Sequence, residues 1–164
     1  MDGQKLKQEI NARIENCTVK ELKHIQHMIH TMKSPERGGL HYLGSFLGIN
    51  LTEIDRISMD LGMQNANKYG VAQGGAVYTL ADVALGYKII SDVGDESKVL
   101  TIELKVNYMK QGKGRKLYAE PIILHQGKST VVGQCMILDE QNDVIAAALG
   151  TFFVMRPTHL LKGG

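Results

Sequence analysis

Between Val71 and Tyr87 the chain carries a single charged residue, Asp82. Its neighbours Val77, Leu80, Ala81, Val83, Ala84 and Leu85 are apolar. Burying an ionised carboxylate is costly unless it is paired or hydrogen-bonded, so an acid at this place needs a reason. Two reasons stand open: a structural carboxylate satisfied by backbone or loop, or a catalytic carboxylate in a cleft. Just upstream, Gln73-Gly74-Gly75 offers backbone N–H groups with no Cβ to block a ligand. A helix starting there could bind an anion or steady a developing oxyanion, though a tight turn alone would also ask for glycine.

Gly74 and Asp82 lie eight residues apart. On one helix that is about 12 Å at 1.5 Å per residue, whereas groups that act on one carbonyl must converge to about 3 Å. If both serve one substrate, the acid of one copy must sit beside the glycines of a second, antiparallel copy. A homodimer, or a dimer of dimers, is then part of the chemistry.

The elements that would position these groups can be read from periodicity. Gln4 to Met32 has apolar residues at three- and four-residue steps, and its phase slips near Cys17. Thr18 and Glu21 fit a capping box there, so the segment reads as two helices. Ser34 to Gly39 then reads as a linker. Phe46 to Met63 alternates as a β-hairpin broken at Asp55-Arg56. A helix opens at Gln73, with Gly86 and Gly94 as its possible ends, and it has so little polar face that it should be buried nearly all round. Four strand-like runs follow. Thr101 to Tyr108 belongs to a clean alternation in which Leu100, Ile102, Leu104, Val106 and Tyr108 form the buried set. The others are Leu117 to Leu124, where Pro121 implies an edge or a bulge, Thr130 to Leu138, and Val144 to Met155. Turns this short force antiparallel pairing, and one long helix against one sheet is an α+β layer.

At this point the sequence resembles the hot-dog-fold acyl-CoA thioesterases of the phenylacetate-degradation and 4-hydroxybenzoyl-CoA thioesterase superfamily. The motif set is Asn67, Gly70, Gln73-Gly74-Gly75, then Leu80-Ala81-Asp82, supported by Thr101 to Tyr108, His125 to Thr130 and Gly150 to Val154. It covers about residues 43 to 157, and the spaced set is more specific than any one motif. The resemblance implies an antiparallel sheet wrapped around one long central helix, residues 40–164, behind an N-terminal helical extension, residues 1–39. It implies hydrolysis of an acyl-CoA or related thioester to carboxylate and thiol, with coenzyme A part of the substrate and no cofactor or metal. Asp82 falls at the position of the catalytic base or nucleophile, and Gly74 at that of the amide that polarises the carbonyl. Asn67 falls where a side-chain amide positions water or the acid across the interface, and Thr101 where a hydroxyl orients water. Gln73, Gly75, Gly127, Lys128 and Ser129 fall on substrate-binding positions. One departure is Gln73, which stands where the family has a histidine and cannot titrate near neutral pH. That departure and the helical extension keep a second function in view, a non-catalytic acyl-CoA sensor.

Composition narrows the partners. With 43% hydrophobic and 22% charged residues and a net charge of +2, the 164-residue chain reads as an ordinary globular protein. It has no Trp and three Phe, so it lacks the stacking platform that nucleic acid would need. Cys17 and Cys135 are far apart, which argues against a zinc ribbon or disulfide framework. Val144 to Met155, the longest apolar stretch, falls short of the roughly 20 residues of a membrane span, and the chain reads as soluble and cytoplasmic. His24, His27 and His30 recur on one helix, but no nearby acid completes a metal site. The basic run Lys110 to Lys116 could meet phosphates, yet reads better as a solvated turn.

Overall fold

In the computed structural model, residues 2–33 and 42–157 are described. The first two helices are α1 (Gly3–Ile14) and α2 (Val19–Lys33). The expected capping box separates them: the Thr18 N–H and hydroxyl each donate to Glu21 Oε2 at 2.7 Å, and the Glu21 N–H donates back to Thr18 Oγ1 at 3.3 Å. Asp2 caps α1 by accepting from the Gln4 N–H. These helices belong to one compact unit, Met1–Tyr42, and the remaining elements to another, Leu43–Gly164. The expected linker Ser34 to Gly39 lies outside the described residues.

A short helix, α3 (Tyr42–Phe46), precedes the expected hairpin of β1 (Ile49–Asn50) and β2 (Ile57–Asp60). The hairpin needs no glycine because Asn50 Oδ1 accepts from both the N–H and the hydroxyl of Thr52. Next come α4 (Gly74–Val93), β3 (Lys98–Tyr108), β4 (Lys116–Gln126), β5 (Thr130–Leu138) and β6 (Val144–Met155). Helix α4 runs through Gly86 and stops at Gly94, whose φ of 97° only glycine adopts without strain. The six strands form one antiparallel sheet in the order β1-β2-β4-β5-β6-β3. Pro121 lies past the end of the β2 ladder, which stops at Ala119, so its missing N–H breaks no bond to that neighbour.

The sheet curls around α4, which packs on β2 through β6. Its buried stripe is Ala76, Val77, Leu80, Ala81, Ala84, Leu85 and Ile89, set against inward residues such as Leu117, Val131, Ile137, Ala148 and Phe152. The expectation of burial all round fails on the opposite side, where Asp82, Val83 and Gly86 are half-buried. Close approach of sheet to helix depends on Gly133, which faces Gly150 across β5 and β6. A Cβ on Gly133 would lie 2.6 Å from Leu85 Cδ2, and one on Gly150 2.8 Å from Leu104 Cδ1 and 3.1 Å from the Glu103 carbonyl.

Strand β3 departs from the clean alternation. Its ladder with β6 shifts register between Thr101 and Glu103, leaving Ile102 as an extra residue. Without the bulge, Thr101 and Leu104 would point to opposite faces. With it, Thr101, Leu104 and Tyr108 all reach toward α4. Leu100 and Ile102, expected in the buried set, are instead 55% and 60% exposed.

Candidate active site

The start of α4 is built by the loop before it. Asn65, only 3% exposed, donates through Nδ2 to the Leu47 and Asp60 carbonyls and accepts at Oδ1 from the Gly62 N–H. Its own carbonyl accepts from the Gln73 N–H, which sets the residue before the helix in place. Gln73 is the N-cap, in extended conformation, and its side-chain Oε1 accepts from the Gly75 N–H. The Ala76 and Val77 N–H groups both donate to the Gln73 carbonyl. Among the described residues, the Gly74 N–H alone of these first helical amides has no acceptor.

Tyr108 holds the same residue through the next peptide, donating to the Gly74 carbonyl at 2.8 Å. Burial, with Tyr78 nearby, pushes its phenol above the ordinary tyrosine value, so it stays a proton donor. Tyr78 on α4 donates to the Leu104 carbonyl at 3.1 Å, a second link from helix to strand. Sequence reasoning placed Tyr108 in the strand and gave it no role, and it passed over Asn65. The polar end on an otherwise apolar strand residue was the available signal for Tyr108.

Two turns along α4, Asp82 Oδ1 accepts from the Thr101 hydroxyl at 2.8 Å. The register shift beside Thr101 aims this hydroxyl at the helix. Asp82 is half-buried rather than enclosed, and among the described residues its other oxygen takes no hydrogen bond. Thus Asp82 and Thr101 come together within one chain, while Gln73, Gly74 and Gly75 cluster at the helix start.

Asn67 lies in the loop leading to α4. Its Oδ1 accepts from the N–H groups of Tyr69 at 2.9 Å and Val71 at 3.4 Å, a local turn that leaves its amide NH2 end uncommitted. Gly127, Lys128 and Ser129 form the β4–β5 hairpin: the Gly127 N–H donates to the Thr130 carbonyl and the Ser129 carbonyl accepts from the Val154 N–H. Arg156 donates to the Lys128 carbonyl and brings a second cation to this hairpin. The basic run before β4 is largely paired instead, Lys110 with Asp143, Arg115 with Glu140 and Lys116 with Asp60. The His24 and His27 rings stack, and among the described residues no cluster of three His, Cys, Asp or Glu could hold a metal.

A cavity of about 270 Å³ opens beside the helix start, walled by Leu43, Leu47, Asn65, Ala66, Ala76 and Thr79, with Gln73 and Gly75 at its edge. Among the described residues no helix is long and apolar enough to cross a membrane.

Known proteins show the same architecture. The thioesterase superfamily model matches residues 69–146. A Saccharolobus solfataricus protein described as a candidate esterase is 29% identical over 121 residues, covering 70% of this chain and 79% of that one. A Bacillus halodurans protein crystallised with CoA superposes with a TM-score of 0.82 at 26% identity, covering 90% of this chain and 99% of that one. A mutant thioesterase from Staphylococcus aureus gives a TM-score of 0.67 at 21% identity, covering 71% of this chain and all of that one (100%). Residues 69–146 thus match the thioesterase superfamily model, and the sheet curled around α4 is the hot-dog fold.

Proposed function

We propose that the protein hydrolyses an acyl-CoA thioester to a carboxylate and free CoA, with each site shared between two copies of the chain. The observation that carries this is the Thr101–Asp82 hydrogen bond. It holds one carboxylate oxygen and leaves the other for a water molecule. Asp82 acts as general base: water attacks the thioester carbonyl carbon while its proton passes to the carboxylate. The negative oxygen of the tetrahedral intermediate is met by the Gly74 N–H of the opposite copy, at the positive end of α4. Collapse breaks the C–S bond, and the departing thiolate regains the proton from Asp82. The Asn67 amide NH2 lies at the same helix entry to orient water or the opposite acid. Lys128, with Arg156, suits the phosphates of the nucleotide, and the CoA-bound relative lends weight to that ligand class.

The need for a second copy has its own support. Among the described residues, strand β3 ends the sheet order with a free edge eleven residues long, and Leu100 and Ile102 on it are exposed. An open edge of this kind calls for a partner strand.

The test is steady-state hydrolysis over short, long and aromatic acyl-CoAs, comparing wild type with Asp82→Asn. Loss of a general base should lower kcat by about 10²–10⁴-fold with an unchanged melting temperature. Equal rates in the variant would discard the mechanism. Tight acyl-CoA binding with no turnover by the wild type would favour the sensor instead.

A further inference from the structure

We infer that the cavity beside α4 seats the acyl group, and that it selects an uncharged, apolar chain of middle length; this rests on the thioesterase reading. The cavity has a rim and a floor. Leu43, Ala66, Gln73 and Gly75 are exposed, whereas Leu47, Asn65 and Ala76 are buried. Its rim is therefore the turn that presents the Gly74 N–H, and a thioester carbonyl held there directs its acyl tail inward along α3.

The chemistry of the wall excludes polar tails. Among the described residues, no charged side chain lines the cavity. The polar side chain on its floor is already committed, while among the described residues Gln73 Nε2 at the rim and Gln64 Oε1 keep hydrogen-bonding capacity. Both Asn65 donors and its acceptor are used, and Gln64 Nε2 donates to the Asp60 carbonyl. The Thr79 hydroxyl donates to the Gly75 carbonyl, and Gln73 Oε1 accepts from the Gly75 N–H. A carboxylate or hydroxyl at the end of the acyl chain would lose water and find no donor on the floor, whereas Leu47 and Ala76 offer a methylene chain what it gains from.

Volume sets the length. An apolar cavity of about 150 Å³ accepts benzene. In proportion, the 270 Å³ open on one chain, with its mouth left for the second copy to close, corresponds to roughly ten carbons, a medium-chain or single-ring aromatic acyl group.

Non-hydrolysable S-alkyl-CoA thioethers of two to sixteen carbons, titrated by calorimetry, test the seat apart from turnover. Affinity should rise up to about fourfold per methylene and level near ten carbons. Ala66→Phe, a change at the rim, should bring the plateau several carbons earlier, and Leu47→Ala at the floor should move it later. An affinity that keeps rising to sixteen carbons, a plateau unmoved by both variants, or equal binding of an ω-carboxyalkyl thioether overturns the proposal. Parallel hydrolysis assays separate it from its premise. Length-selective binding without any hydrolysis supports the seat and overturns the thioesterase reading; hydrolysis indifferent to length and to Ala66→Phe overturns the seat alone.

Discussion

The Gly74 amide can be removed almost without disturbing the helix that carries it. Proline is favoured at the first helical position, where its missing N–H has no intrahelical partner, and it requires an extended residue before it. Gln73 has φ −71° and ψ 136°, which already meets that demand. A Cβ at this position would meet the Tyr108 ring at 3.6 Å, an ordinary contact. Gly74→Pro should therefore fold normally and lose about 10²–10³-fold in kcat, the usual cost of one oxyanion donor; melting curves beside steady-state rates check both halves. Thr101 acts through Asp82, so Thr101→Val should lower kcat roughly ten- to a hundredfold with KM little changed, and Thr101→Ser should restore most of it. A fall in KM-dependent binding alone would assign Thr101 to the substrate instead. Asp82 and Gly74 stood out in the sequence because a lone acid in an apolar run and a glycine pair are local signals, whereas Thr101 was named only through the family resemblance. Asn65 and Tyr108 were not. Their partners, Leu47 and Gly74, lie 18 and 34 residues away, and no local pattern marks such pairs.

Among the elements, β5 and β6 take the expected bounds because their apolar runs end at clear turns. Helix α3 escaped notice because five residues are too few to show a period. The bulge in β3 escaped for a different reason: an extra residue within an alternating run leaves the alternation intact on paper while it turns half the strand over. Gly150 makes room for that bulge, so Gly150→Ala should destabilise by about 1–3 kcal/mol through overpacking, read by urea denaturation. A second junction depends on pH. The Arg115 N–H, donating to Glu140 at 2.9 Å, is the chief cause that holds this carboxyl below its ordinary range, helped by the Arg115 guanidinium. A depressed acid stabilises the fold above its unfolded pKa, and the contribution disappears as pH falls through the folded value. Glu140→Gln should thus show a shallower fall in melting temperature below about pH 4.5 than wild type. Parallel curves would remove Glu140 from the acid response.

At the scale of the whole molecule, the shared site makes a prediction that no single-chain mechanism does. Asp82→Asn and Gly74→Pro should each be inactive alone. After subunit exchange, a mixed dimer holds one site with both defects and one with neither. In a symmetric dimer mixed at random, about a quarter of wild-type activity should return. No recovery under proven exchange would place amide and acid in one chain's site or in none.

Gly133 touches neither the amide nor the acid, yet the depth at which α4 rests in the sheet depends on the space it leaves beside Leu85. Both functional groups ride on that one helix, so a methyl group added at Gly133 shifts them together. Enzymatic loss from such a change would mimic damage to the reaction centre. Repairing it would call for trimming Leu85, the side chain that the new methyl meets, and a rescue of that kind would be the signature of altered spacing rather than altered chemistry.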